Sequence, residues 1–380
     1  MKTLSSLCQL IVDCPHSTAP DEGDGFPLIR TPNIEWGYFN LEGVHRVSRD
    51  TYNKRNIRAV PQNDDLILAR EAPAGNVAII QNGDKVCLGQ RTVLIRPDHK
   101  EVDPMWLNYY LNAPEQRHAL LKNANGATVS HVNMPIIRNL PVKLPDRKTQ
   151  ERIAGILSAY DKLIENNRKQ IKLLEEAAQR LYKEWFIDLK FPGHESTPID
   201  PTTNLPEGWH TKELGNLVPI RTGKRDANFG SENGRFLFFT CAQKPIRADS
   251  YSFDGDAIIL SGNGDFSVCL YRGKFEAYQR TYVLIPPNKT NLFVSFAAIS
   301  CAMSQLANGA NGSTIKYLTK RMIEEIPVIC PQDGILEQFN SVIEAIQSKI
   351  EVLECELKNS QEARNRLLPK LMSGEIEVQP

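Results

Sequence analysis

The chain has 380 residues, with 45 Lys and Arg balanced by 45 Asp and Glu, 41% hydrophobic residues and 24% charged ones. Such a chain is long enough for two or three soluble globular domains with a sizeable core. No apolar run approaches the roughly 20 residues that a bilayer crossing needs. The opening stretch has one Lys and an apolar run broken by Ser, Gln and Asp, unlike a signal peptide. Eight scattered cysteines with no C-x-x-C pair fit reduced thiols in a cytoplasm.

Residues 1–148 read as a mixed α/β domain. Residues 64–69, 76–80 and 92–95 are short apolar runs bounded by Asp, Gly and Pro, as buried strands are. One helix is predicted over 105–121, because it follows Pro104 and sets Trp106, Tyr109, Tyr110 and Leu111 at helical spacing. Pro141 and Pro145 stop the domain short of the next element.

Residues 149–190 form one long helix. Alternating strides of four and three from Ile153 reach Leu157, Tyr160, Ile164, Asn167, Ile171, Leu174, Ala178, Leu181 and Trp185, and all but Asn167 are apolar or aromatic. A hydrophobic period near 3.5 residues held this long is a coiled-coil seam, since it keeps one narrow stripe toward a partner helix. At 1.5 Å per residue the helix is roughly 60 Å long, too long for one core to cover. Asn167 reads as a register or hydration device within that seam.

Residues 191–205 are a Pro- and Gly-rich connector, 206–331 a second mixed domain, 332–374 a second long helix and 375–380 a tail. A shift of 186 (311 − 125) lays the end of the chain over its middle: Asn125-Gly126 falls on Asn311-Gly312, Pro141-Val142 on Pro327-Val328, Glu151 on Glu337, and Arg180-Leu181 on Arg366-Leu367. Such an internal repeat governs the fold reading before any local motif. In the second domain residues 256–260 and 279–285 stand for strands and 292–306 for the helix. The second seam runs Phe339, Ile343, Ile346, Ile350, Leu353 and Leu357, weakens at Ser360 and Arg364, and resumes at Leu367 and Leu371. A parallel pair would need the chain to return roughly 60 Å before the second helix. The expected fold is therefore α+β: two pseudo-repeated mixed α/β domains separated by two long helices that form an antiparallel intramolecular coiled coil.

Catalytic signatures are scarce. The sequence has no H-E-x-x-H, no G-x-x-x-x-G-K-S/T loop and no His spacing suited to a metal. Residues 261–266, rich in glycine, follow a strand but lack the third glycine and a helix, and read as a strand-to-strand turn. The chain is expected to catalyse nothing alone and to bind no cofactor or metal of its own.

The basic residues are more informative. Residues 1–148 carry 18 Lys and Arg against 16 Asp and Glu, residues 206–331 carry 14 against 11, and residues 332–380 carry 5 against 9. Mildly basic domains and an acidic last helix point to different partners. Arg46, Arg49, Lys54, Arg55 and Arg58 cluster around Tyr52, and Arg221, Lys224 and Arg225 form a second cluster; Lys244, Arg247, Arg272 and Lys274 sit near predicted turns. Lys and Arg on turns can neutralise phosphates, and Arg, Asn and Gln can read base edges in the major groove. A solvated loop is the competing reading for each cluster. Residues 125–131 and their copy at 311–317 are candidate turns at the same surface, which adds Thr128, Ser130 and Lys316 to the candidates.

Several stretches together resemble the specificity subunit of Type I restriction–modification enzymes. They are Arg70-Glu71-Ala72-Pro73-Ala74-Gly75-Asn76-Val77, Leu88-Gly89-Gln90-Arg91-Thr92, Lys183-Glu184-Trp185-Phe186, Leu205-Pro206-Glu207-Gly208-Trp209 and the tail from Arg366 to Ile376. The resemblance covers essentially the whole chain and adds Arg70 and Arg91 to the candidates. It implies that each globular domain is a target-recognition domain reading half of a split site in double-stranded DNA. It implies that the helices set the spacing and dock two methyltransferase subunits, and that restriction/translocase subunits join them. S-adenosylmethionine, ATP and Mg²⁺ would sit on those partners. The second domain lacks the Arg-Glu-Ala-Pro run, so its reading residues do not carry over. The rival expectations are a coiled-coil scaffold whose domains bind only proteins, and a nuclease or methylase acting alone.

Overall fold

The apolar runs predicted as strands pair with one another at the centre of the first sheet. The structure, a computed structural model, describes residues 1–122, 131–264, 266–309 and 316–378. The chain divides into two units, Met1–Asn166 with Glu356–Pro380, and Asn167–Cys355.

The first unit begins with β1 (Lys2–Thr3), β2 (Cys8–Asp13), β3 (Phe26–Ile29), β4 (Arg46–Val47), α1 (Arg49–Arg55), β5 (Leu66–Ala69) and β6 (Val77–Ile79). It continues through β7 (Cys87–Leu88), β8 (Thr92–Pro97), α2 (Pro104–Asn112), α3 (Pro114–Lys122), α4 (Met134–Arg138) and β9 (Pro141–Val142) into α5 (Arg147–Tyr182). The main sheet is antiparallel in the order β2-β8-β5-β6. β5 and β6 are apolar throughout and β8 nearly so, because both faces are covered, whereas the edge strand β2 carries Gln9 and Asp13. Leu66, Leu68, Val93 and Ile95 face Trp106, Leu107 and Tyr110; Ile67, Ala69 and Leu94 face Ile29, Ile34 and Leu88. A small sheet, β4-β3-β7, lies beside it, with β3 antiparallel to β4 and parallel to β7.

The single helix expected over 105–121 is two. Asp103 caps α2 by accepting from the Trp106 amide at 2.8 Å, and Ala113, at φ −65 and ψ 145, ends it. Pro114 forces that break: it has no N–H to give and pushes the residue before it out of the helical region. The start of α5 joins this unit's core through Ile153, Ala154 and Leu157, together with Leu368, Leu371 and Met372.

In the second unit α5 ends in one π turn, Lys183–Ile187. That turn buries Phe186 against Phe339 at 4.8 Å between ring centroids, and Trp209 packs at a tilt on Phe191 at 4.6 Å. Residues 191–209 are therefore anchored at both ends by aromatic rings. After them come β10 (His210–Glu213), β11 (Ile220–Thr222), β12 (Phe236–Phe239), β13 (Ile246–Ala248), β14 (Phe253–Ser261), β15 (Val268–Ala277) and β16 (Thr281–Leu284). Then follow α6 (Asn291–Gly309), α7 (Lys320–Glu324), β17 (Pro327–Cys330) and α8 (Asp333–Ser373), whose last part belongs to the first unit. The sheet order is β11-β16-β14-β15-β12-β13. As expected, the stretch that begins at Ser261, the last residue of β14, leads into the antiparallel strand β15; Asp265 lies outside the described residues.

One expectation about membranes needs correcting. Helix α6 is long and apolar enough to cross a bilayer by length and composition. It is the core helix of this unit, with Leu292, Phe293, Val294, Ala298 and Ile299 buried against Ile258, Leu260 and Leu284.

The repeat is visible in the pairing. β1 with β9 is answered by β10 with β17, and β2-β8-β5-β6 by β11-β16-β14-β15. Asn133 begins α4, and Thr319, 186 residues on, begins α7. The seam residues of α5 are inward-facing: Ile153, Leu157, Ile164 and Asn167 are buried, and Tyr160, Ile171, Leu174 and Leu181 half-buried. In α8, Phe339, Ile343, Ile350 and Leu353 are buried, and Ile346, Leu357 and Leu367 half-buried.

Candidate nucleic-acid interface

The basic cluster of the first unit divides once side chains are placed. Ser48 caps α1 through its hydroxyl and presents Arg49 and Lys54 to solvent. Arg49 lies over the Phe26 ring at 5.5 Å, and Phe26 packs on Tyr52 with centroids 4.3 Å apart. Arg46 donates to the Gly25 carbonyl at 2.8 Å. Arg58 is exposed, although its guanidinium donates to the carbonyls of Asp13 and Cys14.

Arg55 is a correction. It is 6% exposed, and it donates to the carbonyls of Leu88 at 2.9 Å, Ser17 at 2.9 Å and Pro15 at 3.4 Å. Its position one helical turn from Tyr52 turns it inward, where it satisfies loop carbonyls that would otherwise be buried without donors. Arg70 is a second correction. It is buried, bonded to Asp13 at 2.6 Å and to the Val132 carbonyl at 2.9 Å. Its Nη2 also meets His131 Nε2 at 2.6 Å, while His131 Nδ1 meets Glu71 at 2.5 Å. Because Arg70 can only donate, His131 must accept at Nε2 and donate from Nδ1. Arg91, with φ 66, completes this network through Glu71 at 2.9 Å. Thr128 and Ser130 lie outside the described residues.

In the second unit Lys224, Lys244, Lys274 and Lys316 are exposed. Lys316 reaches the Ala307 carbonyl at 3.4 Å. Arg225 lies over Phe229 at 4.3 Å and pairs with the buried Glu276 at 3.5 Å. Arg272 is the third correction: Glu344 holds its guanidinium at 2.7 and 2.9 Å, and Glu351 adds a contact at 3.5 Å. Its place on β15, beside the acidic face of α8, commits it to that helix.

Residues that motif spacing does not reveal complete the surface. Tyr251 packs on Phe236 at 4.9 Å, Arg235 lies over Phe236 at 5.6 Å and Lys274 over Tyr251 at 4.8 Å. The register explains why this surface matches that of the first unit. Phe26 opens β3 opposite Val47, with Leu28 parallel to Cys87; Phe236 opens β12 opposite Ala248, with Phe238 parallel to Glu276. Each unit thus places an aromatic ring at the same point of the same three-strand ribbon, with a cation over it. The contact is worth about 0.5–1 kcal/mol at an exposed site, and it holds the charge at a fixed place. Among the described residues no three His, Cys, Asp or Glu side chains gather as a metal site requires.

The profile described as "Type I restriction modification DNA specificity domain" matches residues 2–176 and 206–361. The chain belongs to that family. Its members are the non-catalytic, sequence-recognising components of Type I restriction–modification systems, and here the domain occurs twice. The MjaIX specificity subunit of Methanocaldococcus jannaschii is 26% identical over 91% of this chain and 85% of its own length. The EcoDI specificity subunit of Escherichia coli is 36% identical over 45% of this chain and 39% of its own length. The crystal structure of the specificity subunit from M. genitalium covers 97% of this chain and 95% of its own, at 16% identity and a TM-score of 0.60, so the fold is shared.

Proposed function

We propose that the two units of this specificity chain each read one half of a split DNA site, and that α5 and α8 lie antiparallel as a coiled coil that fixes the gap between the halves. The observation that carries this reading is the repeated ribbon with unlike contents. One topology presents Phe26, Arg49 and Lys54, backed by the buried Tyr52, in one unit and Phe236, Tyr251, Arg235 and Lys274 in the other. A common scaffold with different side chains suits two different half-sites, since phosphate contacts position a protein while base contacts specify. The helix pairing is supported inside each unit. In the first, the start of α5 shares a core with the end of α8; in the second, Tyr182 and Phe186 near the end of α5 meet Phe339 near the start of α8. Two methyltransferase subunits dock on the helices, restriction/translocase subunits join them in the cytoplasm, and S-adenosylmethionine, ATP and Mg²⁺ belong to those partners.

The test is duplex binding by the chain with its methyltransferase across a salt series, alongside a methylation map of host DNA. A reading subunit gives a steep salt slope with a sequence-dependent remainder. A protein-binding scaffold gives neither. Adding one heptad to both helices, in register, should change the tolerated gap between half-sites, and an unchanged gap would remove the spacer role.

A further inference from the structure

The second unit contains a sheet edge that its own chain leaves open, and the repeat makes this visible. In the first unit the outer edge of β6 is covered: the Gly37 amide donates to the Val77 carbonyl at 2.8 Å, and Gly37 bridges to Ala78 in parallel. The pairings Leu66 with Ile79 and Ile258 with Leu270 put Val77 and Ala78 in correspondence with Val268 and Cys269. There β15 pairs with β14 along its length, but with β12 only at Phe275–Ala277. Among the described residues no strand covers the other side of Val268–Gly273.

That open edge borders a cavity of about 720 Å³. Every residue from Phe266 to Arg272 lines it. A strand face would contribute only alternate residues, so it is the backbone edge that looks into the space. The opposite walls are apolar, from Phe293 and Phe296 on α6 and Ile346 and Ile350 on α8. The charged residues there are Glu175 of α5 and Glu351 and Glu354 of α8, with Arg272 already engaged by Glu344 and Glu351. Glu175 and Glu354 have no cationic partner among the described residues. Desolvation first, then neighbouring carboxylates, holds both above the ordinary range.

We propose that this groove takes an extended segment of a partner protein, which adds to β15 as a strand and carries alternating apolar and basic side chains. The backbone requirement comes from the unpaired edge, since a free strand edge is a template for another chain. The apolar positions come from the α6 and α8 walls. The basic ones come from three carboxylates facing one engaged arginine. The five residues Val268–Arg272 offer roughly 16 Å of edge at about 3.3 Å per residue, so the segment is short. This inference uses none of the residues proposed to contact DNA, although Ile346 and Ile350 also belong to the seam of α8.

The test uses the full chain and a fluorescent seven-residue peptide alternating valine with lysine. Its controls are a valine–glutamate version and a lysine version N-methylated at every second residue on either backbone edge. The lysine peptide should bind at least tenfold tighter than the glutamate one, and N-methylation of the pairing edge should abolish binding. Bound peptide should slow hydrogen exchange at amides within residues 268–273. Glu175→Gln with Glu354→Gln should weaken the peptide about tenfold and leave DNA affinity unchanged. No binding, equal binding of the two charge versions, indifference to N-methylation or protection elsewhere would each overturn the proposal.

Discussion

Arg364 donates to Asp161 across 2.6 Å, and the same carboxylate accepts from the Tyr109 hydroxyl at 2.5 Å. In the seam pattern Arg364 is a gap in an apolar row; in the first unit it is one side of a lock between the end of α8, the start of α5 and α2. Burial, and after it Asp161, pushes the Tyr109 phenol well above its ordinary range, so it remains a donor at any physiological pH. Asp161→Ala leaves a half-buried guanidinium and a buried hydroxyl without their acceptor. The expected cost is about 2 kcal/mol, read as a lower urea midpoint. Replacing both Asp161 and Arg364 by Leu should recover the part due to the stranded charge, and adding Tyr109→Phe should recover the part due to the phenol that has lost its acceptor.

The basic cluster of the first unit predicts two separable phenotypes. Arg55→Ala removes the donor for three carbonyls and should lower stability by about 3 kcal/mol, with any loss of DNA binding following from unfolding. Arg49→Glu and Lys54→Glu alter exposed groups and should leave stability within about 1 kcal/mol, the larger share at Arg49, which gives up its contact with the Phe26 ring. Their effect should appear as weaker duplex binding and a salt slope reduced by about 1 for each phosphate that is no longer neutralised. Unchanged affinity in both would remove α1 from the interface.

How the sequence exposes some of this and hides the rest has a physical reason. The shift of 186 holds through the helices and β9/β17 because packing against long helices fixes length. It becomes 192 between Leu66 and Ile258, and 210 between Phe26 and Phe236, as insertions accumulate in loops that water tolerates. A single shift therefore cannot align the matching ribbons, which leaves Arg235 and Tyr251 hidden. Arg55 and Arg70 look like surface cations because composition cannot tell a guanidinium that caps loop carbonyls from one facing solvent. Pro114 is legible as a helix break, but the apolar spacing continues on either side and masks it.

For the second unit, Tyr251→Ala and Lys274→Ala test the ribbon. Tyr251 holds Lys274 in place from one side and packs on Phe236 from the other. Lys274→Ala should weaken binding to all duplexes alike, as removal of a phosphate-neutralising charge does. Tyr251→Ala should cost about 1 kcal/mol or more and do so unevenly between sequences if the ring touches bases. A methylation map that relaxes in only one half of the site would assign that half to this unit. Identical binding by both variants would place the DNA face elsewhere on the second unit.

The carboxyl of Glu354 supplies the pH prediction. Its folded pKa is raised by desolvation and then by Glu175 and Glu351, so the folded chain holds this proton more tightly than the unfolded chain does. The penalty is absent below the unfolded carboxylate pKa, grows as pH rises above it and is complete once pH exceeds the folded value. Glu354→Gln should therefore raise stability at pH 7, by less than about 1 kcal/mol because the group still meets water. The gain should vanish near pH 4, in thermal melts run at both values. Glu344 has the opposite sign: Arg272 holds its carboxyl below the ordinary range, so that pair stabilises at neutral pH and the effect fades as acid protonates it. If Glu354→Gln is more stable and yet loses the lysine peptide, the unrelieved charge is retained for a ligand, because a groove shaped only by packing has no use for it.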